Sequence, residues 1–374
     1  PYTQSGNGTR GPRGVSGPAQ IQAVSRGKRM SSDRKRALIT GGAGFIGSHL
    51  AEALLAQGWE VTVIDNLSTG CFDNIQHLVA NPHFKPVIDT ITHEVVFDRL
   101  AGECDVIFHL AAAVGVELIV HNPVHVIETN VLGTHAVLQA AARYRKKVLI
   151  ASTSEIYGKS DKVPFSEDAD RVLGPTTKAR WSYSDSKAVD EFLGLAYQRQ
   201  MDLPVVIFRL FNTIGPRQTG QYGMVVPRFV RQALKGGPIT VYGNGSQTRC
   251  FCNVQDTVRA LLSLAETPQA VGQVFNVGTM EEVTILELAQ QVWEVVLRCV
   301  PEVRAPAERV VFIPYDQAYE PGFEDMQRRV PDISRIKALT GWEPRVPLQQ
   351  TLEQVVTHMA QAAVKETLAE RRTS

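Results

Sequence analysis

Short apolar runs alternate with longer amphipathic stretches between residues 37 and 209 of the chain. The apolar runs predict buried strands at 37–40, 61–64, 106–110, 148–151 and 205–209. The amphipathic stretches predict helices at 45–57, 124–144 and 184–200. The first of these helices places Ile46, Leu50 and Leu54 on one face, and Gly58 is its expected cap. Strands and helices that alternate in this way form a doubly wound parallel sheet of the α/β class.

The alternation ends near residue 212, beyond which glycine and proline become frequent. Residues 235–253 and 305–335 predict short strands and loops. We therefore expect a main α/β domain over 36–211 and a smaller C-terminal α/β lobe over 212–356, parts of which return to the main domain. The flanking segments are expected to be a disordered basic tail at 1–35 and a C-terminal helical tail at 357–374.

Composition excludes several classes of function. The 374-residue chain has a net charge of +1, which argues against general nucleic-acid binding. We expect no membrane span and no signal peptide, because no long apolar run is present, and we expect a cytoplasmic protein. Cys250 and Cys252 are predicted to share one face of a strand. Since no second pair with ligand spacing accompanies them, we expect reduced thiols and no bound metal.

A glycine motif joins the first predicted strand to the first predicted helix. Gly41 permits a tight turn, Gly44 lets the backbone approach a pyrophosphate, and Gly47 lets the helix pack closely on the sheet. Asp65 ends the second predicted strand, where a carboxylate accepts hydrogen bonds from an adenosine ribose and repels a 2′-phosphate. The motif therefore predicts a Rossmann-type site for NAD. The alternative role of Asp65 is to open the turn that begins at Asn66.

A second motif indicates a reaction centre. Tyr183 and Lys187 lie four residues apart on a predicted helix and therefore share one face. An ammonium group and a nicotinamide cation stabilise a tyrosine phenolate, which can accept a hydroxyl proton while NAD accepts the hydride. Thr153 and Glu155 follow a buried strand, at the edge where such sheets bind ligands. We expect Thr153 to contact the reacting hydroxyl and Glu155 to act on a second centre; the alternative for Glu155 is a helix-start cap.

The chain resembles the extended short-chain dehydrogenase/reductase family of nucleotide-sugar enzymes from about Arg36 to about Val356. The likeness lies in Thr40–Gly47, His109–Ala112, Asn130, Thr153, Tyr183 and Lys187. Within that family the chain is most similar to UDP-glucuronate decarboxylases and to the related decarboxylases of the 4-amino-arabinose and apiose pathways. That closer likeness lies in the runs at 153–158, 180–184, 209–217, 245–249 and 322–332.

The resemblance implies a homodimer that binds NAD and a UDP-sugar, with dimer contacts through helices near 124–143 and 184–200. It implies Thr153, Glu155, Tyr183 and Lys187 as catalytic residues. Besides Tyr183 and Lys187, the implied cofactor contacts are Gly41, Gly44, Phe45, Ile46, Asp65, Asn66, Asp89, Leu110, Ala111, Ala112 and Asn130. The implied substrate contacts are Ser154, Arg180, Asn212, Val226, Tyr242, Arg249 and Arg329.

The implied reaction begins when Tyr183 and NAD oxidise the sugar at C4. A 5-carboxylate then belongs to a β-keto acid and leaves as carbon dioxide, with Thr153 and Glu155 moving protons and Arg249 orienting the acid. Return of the hydride makes the reaction non-oxidative and converts UDP-glucuronate to UDP-xylose.

Three alternatives stay open beside the decarboxylase. Residues 109–116 differ from the H-L-A-S-P-A-S-P run of typical UDP-xylose synthases, and the T-S-E triplet also occurs in GDP-mannose 4,6-dehydratases. A UDP-hexose or UDP-uronate 4-epimerase and an NDP-hexose 4,6-dehydratase are therefore the alternative enzymes. The other alternative is a non-catalytic NAD-binding protein, a class that typically loses the Tyr or the Lys.

Overall fold

The computed structural model describes residues 34–220, 224–318 and 326–373. In chain order, the strands are β1 (Arg36–Thr40), β2 (Glu60–Asp65), β3 (Phe84–Ile88), β4 (Val106–His109), β5 (Lys147–Thr153), β6 (Val205–Leu210), β7 (Thr213–Ile214), β8 (Ile239–Tyr242), β9 (Thr248–Cys250), β10 (Cys252–Asn253), β11 (Val274–Val277), β12 (Glu282–Thr284) and β13 (Val310–Ile313). The helices are α1 (Phe45–Ala56), α2 (Glu94–Glu103), α3 (Val116–His121), α4 (Pro123–Tyr144), α5 (Ser182–Met201), α6 (Val225–Leu234), α7 (Val254–Glu266), α8 (Ile285–Cys299), α9 (Tyr315–Ala318), α10 (Ser334–Thr340) and α11 (Leu348–Thr373).

The main sheet is parallel and has the strand order β3-β2-β1-β4-β5-β6-β11. Successive side chains of β1 enter opposite layers: Ile39 packs in the layer that holds α1 and α7, and Leu38 in the layer that holds α2 and α4. Both faces are therefore covered, which explains why the strands are continuous apolar runs. The doubly wound α/β fold predicted from the sequence is confirmed.

The chain adds β2 and β3 on one side of β1 and then β4, β5 and β6 on the other side, so the carboxyl ends of β1 and β4 open a crevice at this topological switch point. The glycine motif follows β1, and residues 110–115 follow β4 at the same edge. Thr153 ends β5 beside them. The sheet thus brings all three segments to one crevice.

The second half of the chain divides between two cores. Helices α6, α8 and α11 pack with β8 around Trp293 and Phe229, which are fully buried. Strand β11 instead forms an edge of the main sheet, and helices α7 and α10 pack on that sheet. Trp342 reaches the same layer and donates a hydrogen bond from Nε1 to the Asp256 carbonyl.

The structure corrects the prediction for Cys250 and Cys252 and adds one strand and one helix that were not predicted. Cys250 and Cys252 do not share one strand: the chain changes partners at Phe251, so β9 pairs antiparallel with β12 and β10 pairs parallel with β7. Both sulfurs are buried, and burial raises the pKa of each thiol to about 12. Strand β3 and helix α2 were not predicted, because Lys85 and Pro86 interrupt the apolar pattern of β3.

Some of the sequence predictions concern residues that the structure does not describe. Nearly all of the predicted tail at 1–35, and residues 322–325 of the run at 322–332, lie outside the described residues. Over the described ranges, no helix has both the length and the apolar character that a bilayer crossing requires.

Candidate active site

A cavity of about 400 Å³ occupies the crevice at the switch point. One side of the cavity, which we call the glycine side, comprises Gly41–Gly47 and Leu110–Ala112, whose backbones pack against each other. Its cavity-lining residues are Phe45, Ile46, Leu110 and Ala112. The other side, the arginine side, is formed by Glu155, Arg180, Asn212, Arg249 and Arg329. Thr153, Tyr183 and Lys187 line the same cavity. The fold therefore brings together both motifs that the sequence singled out.

The glycine side is made of closely packed backbone. A Cβ on Gly47 would lie 2.2 Å from the Gly41 carbonyl oxygen, and one on Gly41 would lie 2.9 Å from the Ala111 nitrogen. Gly41 has a φ of +70°, a left-handed conformation that glycine adopts without strain. Within the described part of the chain, no side chain caps the start of α1 at Gly44. The first turn thus has backbone donors and a positive dipole end for an anionic group, which fits the pyrophosphate of a dinucleotide.

Asp65 connects the glycine side to β2. Its carboxylate accepts hydrogen bonds from the backbone nitrogens of Ala43 (2.9 Å) and Leu67 (2.8 Å). Burial raises the pKa of Asp65, although these backbone donors oppose the rise. The turn-forming role considered for Asp65 is therefore present, and its contact with an adenosine ribose stays a prediction. Asn66 belongs to the same turn and accepts a hydrogen bond from the Ser68 nitrogen.

Two other residues expected to contact the cofactor are engaged with the protein. Asn130 is buried, and its amide bonds both backbone groups of Ala113 and the Ser186 hydroxyl. It therefore fixes the loop after β4 against α5. Asp89 follows β3 and pairs with His93 at 2.8 Å, a hydrogen bond that lowers the pKa of its carboxyl.

The two residues of the predicted reaction centre lie on α5. The side chains of Tyr183 and Lys187 are buried and line the cavity from the same helix face. Burial raises the pKa of the Tyr183 hydroxyl well above its ordinary value, and the Glu155 carboxylate raises it further, whereas a hydrogen bond with Thr153 lowers it. Thr153 Oγ1 also accepts a hydrogen bond from the Glu155 nitrogen at 3.2 Å. Thr153 thus contacts both Tyr183 and Glu155.

The arginine side is organised around one carboxylate. Glu155 Oε1 lies 2.6 Å from Arg329 Nη1, and Glu155 Oε2 lies 2.6 Å from Arg180 Nη1. Arg329 also donates to Asn212 Oδ1 at 2.8 Å. Burial disfavours the ionised form of Glu155, but the two arginines outweigh burial and lower its pKa to about 2. Glu155 is therefore an anion at neutral pH and can hold cations in place, but it carries no proton to donate.

The other residues expected to contact the substrate lie around this end. Ser154 lines the cavity beside Glu155, and Arg249 lines it while donating from Nη1 to the Thr248 carbonyl at 2.8 Å. Tyr242 stacks with the Arg228 guanidinium, 4.0 Å from the ring centre, and the buried Val226 lies close by on α6. The structure thus places every expected substrate contact on the cavity wall.

Two buried residues were missed as site components. His109 ends β4 and bonds Thr40 Oγ1 (2.8 Å) and Thr134 Oγ1 (3.0 Å); burial and the nearby Lys187 lower its pKa to about 3. Asp190 lies 2.6 Å from Lys187 Nζ. The three-residue spacing on a helix was a readable signal for this pair, whereas nothing local identifies the partners of His109.

A buried ion pair supports the centre from behind. Glu191 binds the Arg209 guanidinium through two hydrogen bonds and accepts another from Ser152, the neighbour of Thr153. Arg209 also donates to the Tyr157 hydroxyl at 2.9 Å. These bonds join β5, β6 and α5 at the points where they carry the reaction centre.

Metal coordination has no candidate among the residues that the structure describes: no group of three or more His, Cys, Asp or Glu side chains is arranged to hold an ion. The cavity thus consists of a backbone site suited to a dinucleotide, a buried Tyr and Lys, and an arginine-bound carboxylate.

Comparison with known proteins places the chain among sugar-nucleotide enzymes. Residues 38–355 match the family model described as GDP-mannose 4,6 dehydratase. A UDP-N-acetyl-alpha-D-glucosaminuronate decarboxylase of Bacillus cytotoxicus is 42% identical over 86% of this chain and 97% of its own length. UDP-glucuronic acid decarboxylase 1 of Danio rerio is 40% identical over 88% of this chain and 73% of its own length.

The structural comparison agrees. UDP-glucuronic acid 4-epimerase from Bacillus cereus, solved with UDP-glucuronic acid and NAD, superimposes with a TM-score of 0.75 and 29% identity. The match covers 87% of this chain and 99% of the epimerase.

Proposed function

The chain belongs to the GDP-mannose 4,6-dehydratase family, and we propose that within it the protein is an NAD-dependent decarboxylase of a UDP-uronate, with UDP-glucuronate as the first candidate. The observation that carries the proposal is the arginine side, where Arg180 and Arg329 already bind a carboxylate, that of Glu155, beside Tyr183. Guanidinium groups recognise carboxylates and phosphates. The names of the relatives from Bacillus cytotoxicus and Danio rerio support the same reaction class.

NAD fits the glycine side because that side is backbone packed on backbone and the start of α1 is uncapped. Gly41, Gly44, Phe45 and Ile46 would hold the pyrophosphate, and Tyr183 with Lys187 would meet the nicotinamide end. When bound, NAD supplies the hydride acceptor and later the hydride donor. The epimerase solved with NAD supports this assignment.

The protein's own groups divide the chemistry. Tyr183 accepts the proton of the sugar 4-hydroxyl, Thr153 hydrogen-bonds the same oxygen, and the Lys187 ammonium favours the phenolate. The resulting 4-keto uronate is a β-keto acid, and loss of carbon dioxide leaves an enolate whose oxygen faces the Tyr183 hydroxyl. Water protonates the enolate at C5, and Tyr183 returns its proton to the 4-oxygen when the hydride returns to C4. Because Glu155 is ionised, its proposed part is to fix Arg180 and Arg329 rather than to donate a proton.

The first experiment is to incubate the protein with NAD and UDP-glucuronate and to follow the sugar nucleotide by NMR and mass spectrometry. Loss of one carbon dioxide to give UDP-xylose supports the decarboxylase. An unchanged mass with an inverted 4-hydroxyl identifies a 4-epimerase. With neutral NDP-hexoses in parallel, loss of water to a stable keto sugar identifies a 4,6-dehydratase.

A second substrate candidate is UDP-N-acetylglucosaminuronate. It is supported by the 42% identical relative, a UDP-N-acetyl-alpha-D-glucosaminuronate decarboxylase, and by residues 109–116, which differ from the run typical of UDP-xylose synthases. The ratio of kcat/KM for the two uronates decides between them.

Glu155→Gln separates decarboxylation from epimerisation. Removing the charge releases Arg180 and Arg329, so carbon dioxide loss should stop, whereas an epimerase does not need this group. Unchanged decarboxylation by the variant would contradict the role given to the arginine side.

We also propose a homodimer through α4 and α5. Both helices carry exposed apolar side chains: Val124, Ile127 and Leu132 on α4, and Val189 and Phe192 on α5. Large exposed apolar patches commonly mark interfaces. Phe192→Glu should yield monomers by light scattering, whereas Val95→Glu, at an even more exposed site on α2, should leave the dimer intact.

We also propose a cytoplasmic location, which cell fractionation can test.

A further inference from the structure

The catalytic lysine has an unexpected partner. Asp190 Oδ2 lies 2.6 Å from Lys187 Nζ, one turn further along α5, and both side chains are almost completely buried, at 0% and 3% exposure. We propose that Asp190 is a positioning residue that fixes the Lys187 ammonium and, through its charge, sets the pH range over which Tyr183 acts as a base. The proposal rests on the proposed function only in taking Tyr183 as the base beside bound NAD.

Stability alone does not account for this pair. Removing two charges from water is costly, and a well-packed apolar pair of similar size usually serves the fold as well or better. Helix α5 is already tied to β6 by Glu191 and Arg209, one residue beyond Asp190. The helix also packs along α4 and β5. A second buried carboxylate is therefore best explained by what it does to Lys187.

The surroundings restrict what Asp190 can act on. Lys187 and Glu191 face it from α5, and the Thr134 hydroxyl faces it from α4. Burial raises the pKa of Asp190, and Lys187 and Thr134 counteract that rise. His109 is the charged or titratable group that approaches Lys187 from β4. Because its pKa of about 3 leaves it neutral at working pH, the Lys187 charge is balanced by Asp190 and not by His109.

The consequence reaches Tyr183. Its hydroxyl is affected by Glu155 and Arg329 from the arginine side, by Thr153 from the end of β5 and by Asp190 from its own helix. The Asp190 charge raises the pKa of Tyr183. It thus acts against the favourable effect that a lysine ammonium has on a phenolate. When Asp190 partly neutralises the Lys187 ammonium, the Tyr183 phenolate forms only at higher pH, but it is then a stronger base.

Asp190→Asn tests this inference on the NAD-loaded enzyme. The isosteric amide removes the charge, so the acidic limb of the kcat/KM profile should move to lower pH by roughly one unit. The less firmly held lysine should also lower kcat at its optimum by about tenfold. Asp190→Glu restores the charge and should return the limb to its wild-type position. Asp185→Asn, an exposed site on the same helix paired with Arg171, should change neither quantity.

A second readout does not need turnover. Phenolate formation by Tyr183 is followed by ultraviolet difference absorbance, with Tyr183→Phe as the blank, and in Asp190→Asn the signal should begin at lower pH. If that variant does not fold, Asp190→Ser, which admits water to the lysine, replaces it. The inference is overturned if, in Asp190→Asn, the acidic limb of the kcat/KM profile or the Tyr183 titration stays in place or moves to higher pH. A wild-type enzyme that leaves both UDP-uronates unchanged overturns the proposed function instead, and the titration still decides the role of Asp190.

Discussion

The glycine side and the arginine side of the cavity are built in opposite ways. The glycine side consists of backbone from two short segments, and its shape depends on the absence of side chains at Gly41 and Gly47. The arginine side consists of long charged side chains that come from positions 155, 180, 249 and 329. The first can be altered by a single methyl group without a change of charge. The second can be altered by a single charge with little change of shape.

This difference indicates how each side works. Backbone donors and a helix dipole suit a phosphate group that many enzymes bind in the same way. Charged side chains around Glu155 suit a group that has to be told apart from similar ones, because a missing or extra charge in a buried site is expensive. We therefore expect substitutions on the arginine side to affect turnover and those on the glycine side to affect cofactor binding.

The largest expected effect separates two neighbouring arginines. Arg329→Met removes a buried guanidinium from Glu155 and Asn212 and should lower kcat/KM about 10²–10³-fold while NAD affinity is unchanged. Arg328→Met removes an exposed guanidinium paired with Glu282 and should change kcat/KM less than about twofold. Steady-state kinetics and NAD titration measure both. An equal loss of NAD affinity in Arg329→Met would erase the distinction between the two sides.

A smaller effect is expected from a glycine pair. Gly47→Ala places a methyl group 2.2 Å from the Gly41 carbonyl oxygen, so the glycine turn has to move away from α1. We expect NAD affinity to fall about 10–100-fold and the free energy of unfolding to fall by about 1–3 kcal/mol. Gly237→Ala has its nearest neighbour at 3.8 Å and should be neutral. Normal NAD binding by Gly47→Ala would show that the glycine side tolerates side chains after all.

The two sides also differ in how far the sequence predicted them. Gly41, Gly44 and Gly47 are contiguous with a strand and a helix, so local pattern was enough to predict the turn and the fold around it. Strand β3 was not predicted because Lys85 and Pro86 interrupt its apolar pattern, and the strand forms through its pairing with β2. Cys250 and Cys252 were assigned to one strand because a change of pairing partner leaves no mark on periodicity.

Apart from Glu155, which follows a predicted strand, the arginine side was predicted only as a set of residues implied by a family likeness. Nothing in the sequence joins Glu155 to Arg329, which lies 174 residues further along the chain. The ion pairs that lower the pKa of Glu155 arise from the folded topology. The same is true of His109, whose ring lies between hydroxyls from β1 and α4. Asp190 is the exception, because its spacing from Lys187 was visible.

Acid unfolding gives the smallest effect and compares His109, which comes directly before Leu110 of the glycine side, with Glu155 of the arginine side. His109 has a folded pKa of about 3 against 6.5 when free, so the unfolded chain takes up a proton first as the pH falls. Its contribution to stability is intact above about 6.5 and is lost toward pH 3. Glu155 has a folded pKa of about 2 against 4.5, so its contribution is lost only below about 4.5. Each group adds at most about 1.4 kcal/mol per pH unit to the slope of unfolding free energy.

His109→Gln tests this order because the amide can still bond both threonines but does not titrate. Between pH 6.5 and 4.5 the slope of unfolding free energy against pH should fall by up to one proton, while the slope below pH 4.5, where Glu155 titrates, persists. His49 keeps part of the upper slope, since burial and Arg217 lower its pKa to about 4. His121→Gln, at an exposed position at the end of α3, is the control and should leave the curve unchanged. Urea unfolding at a series of pH values measures the slopes, and an unaltered upper slope in His109→Gln would mean that the acid sensitivity in that pH range does not come from His109.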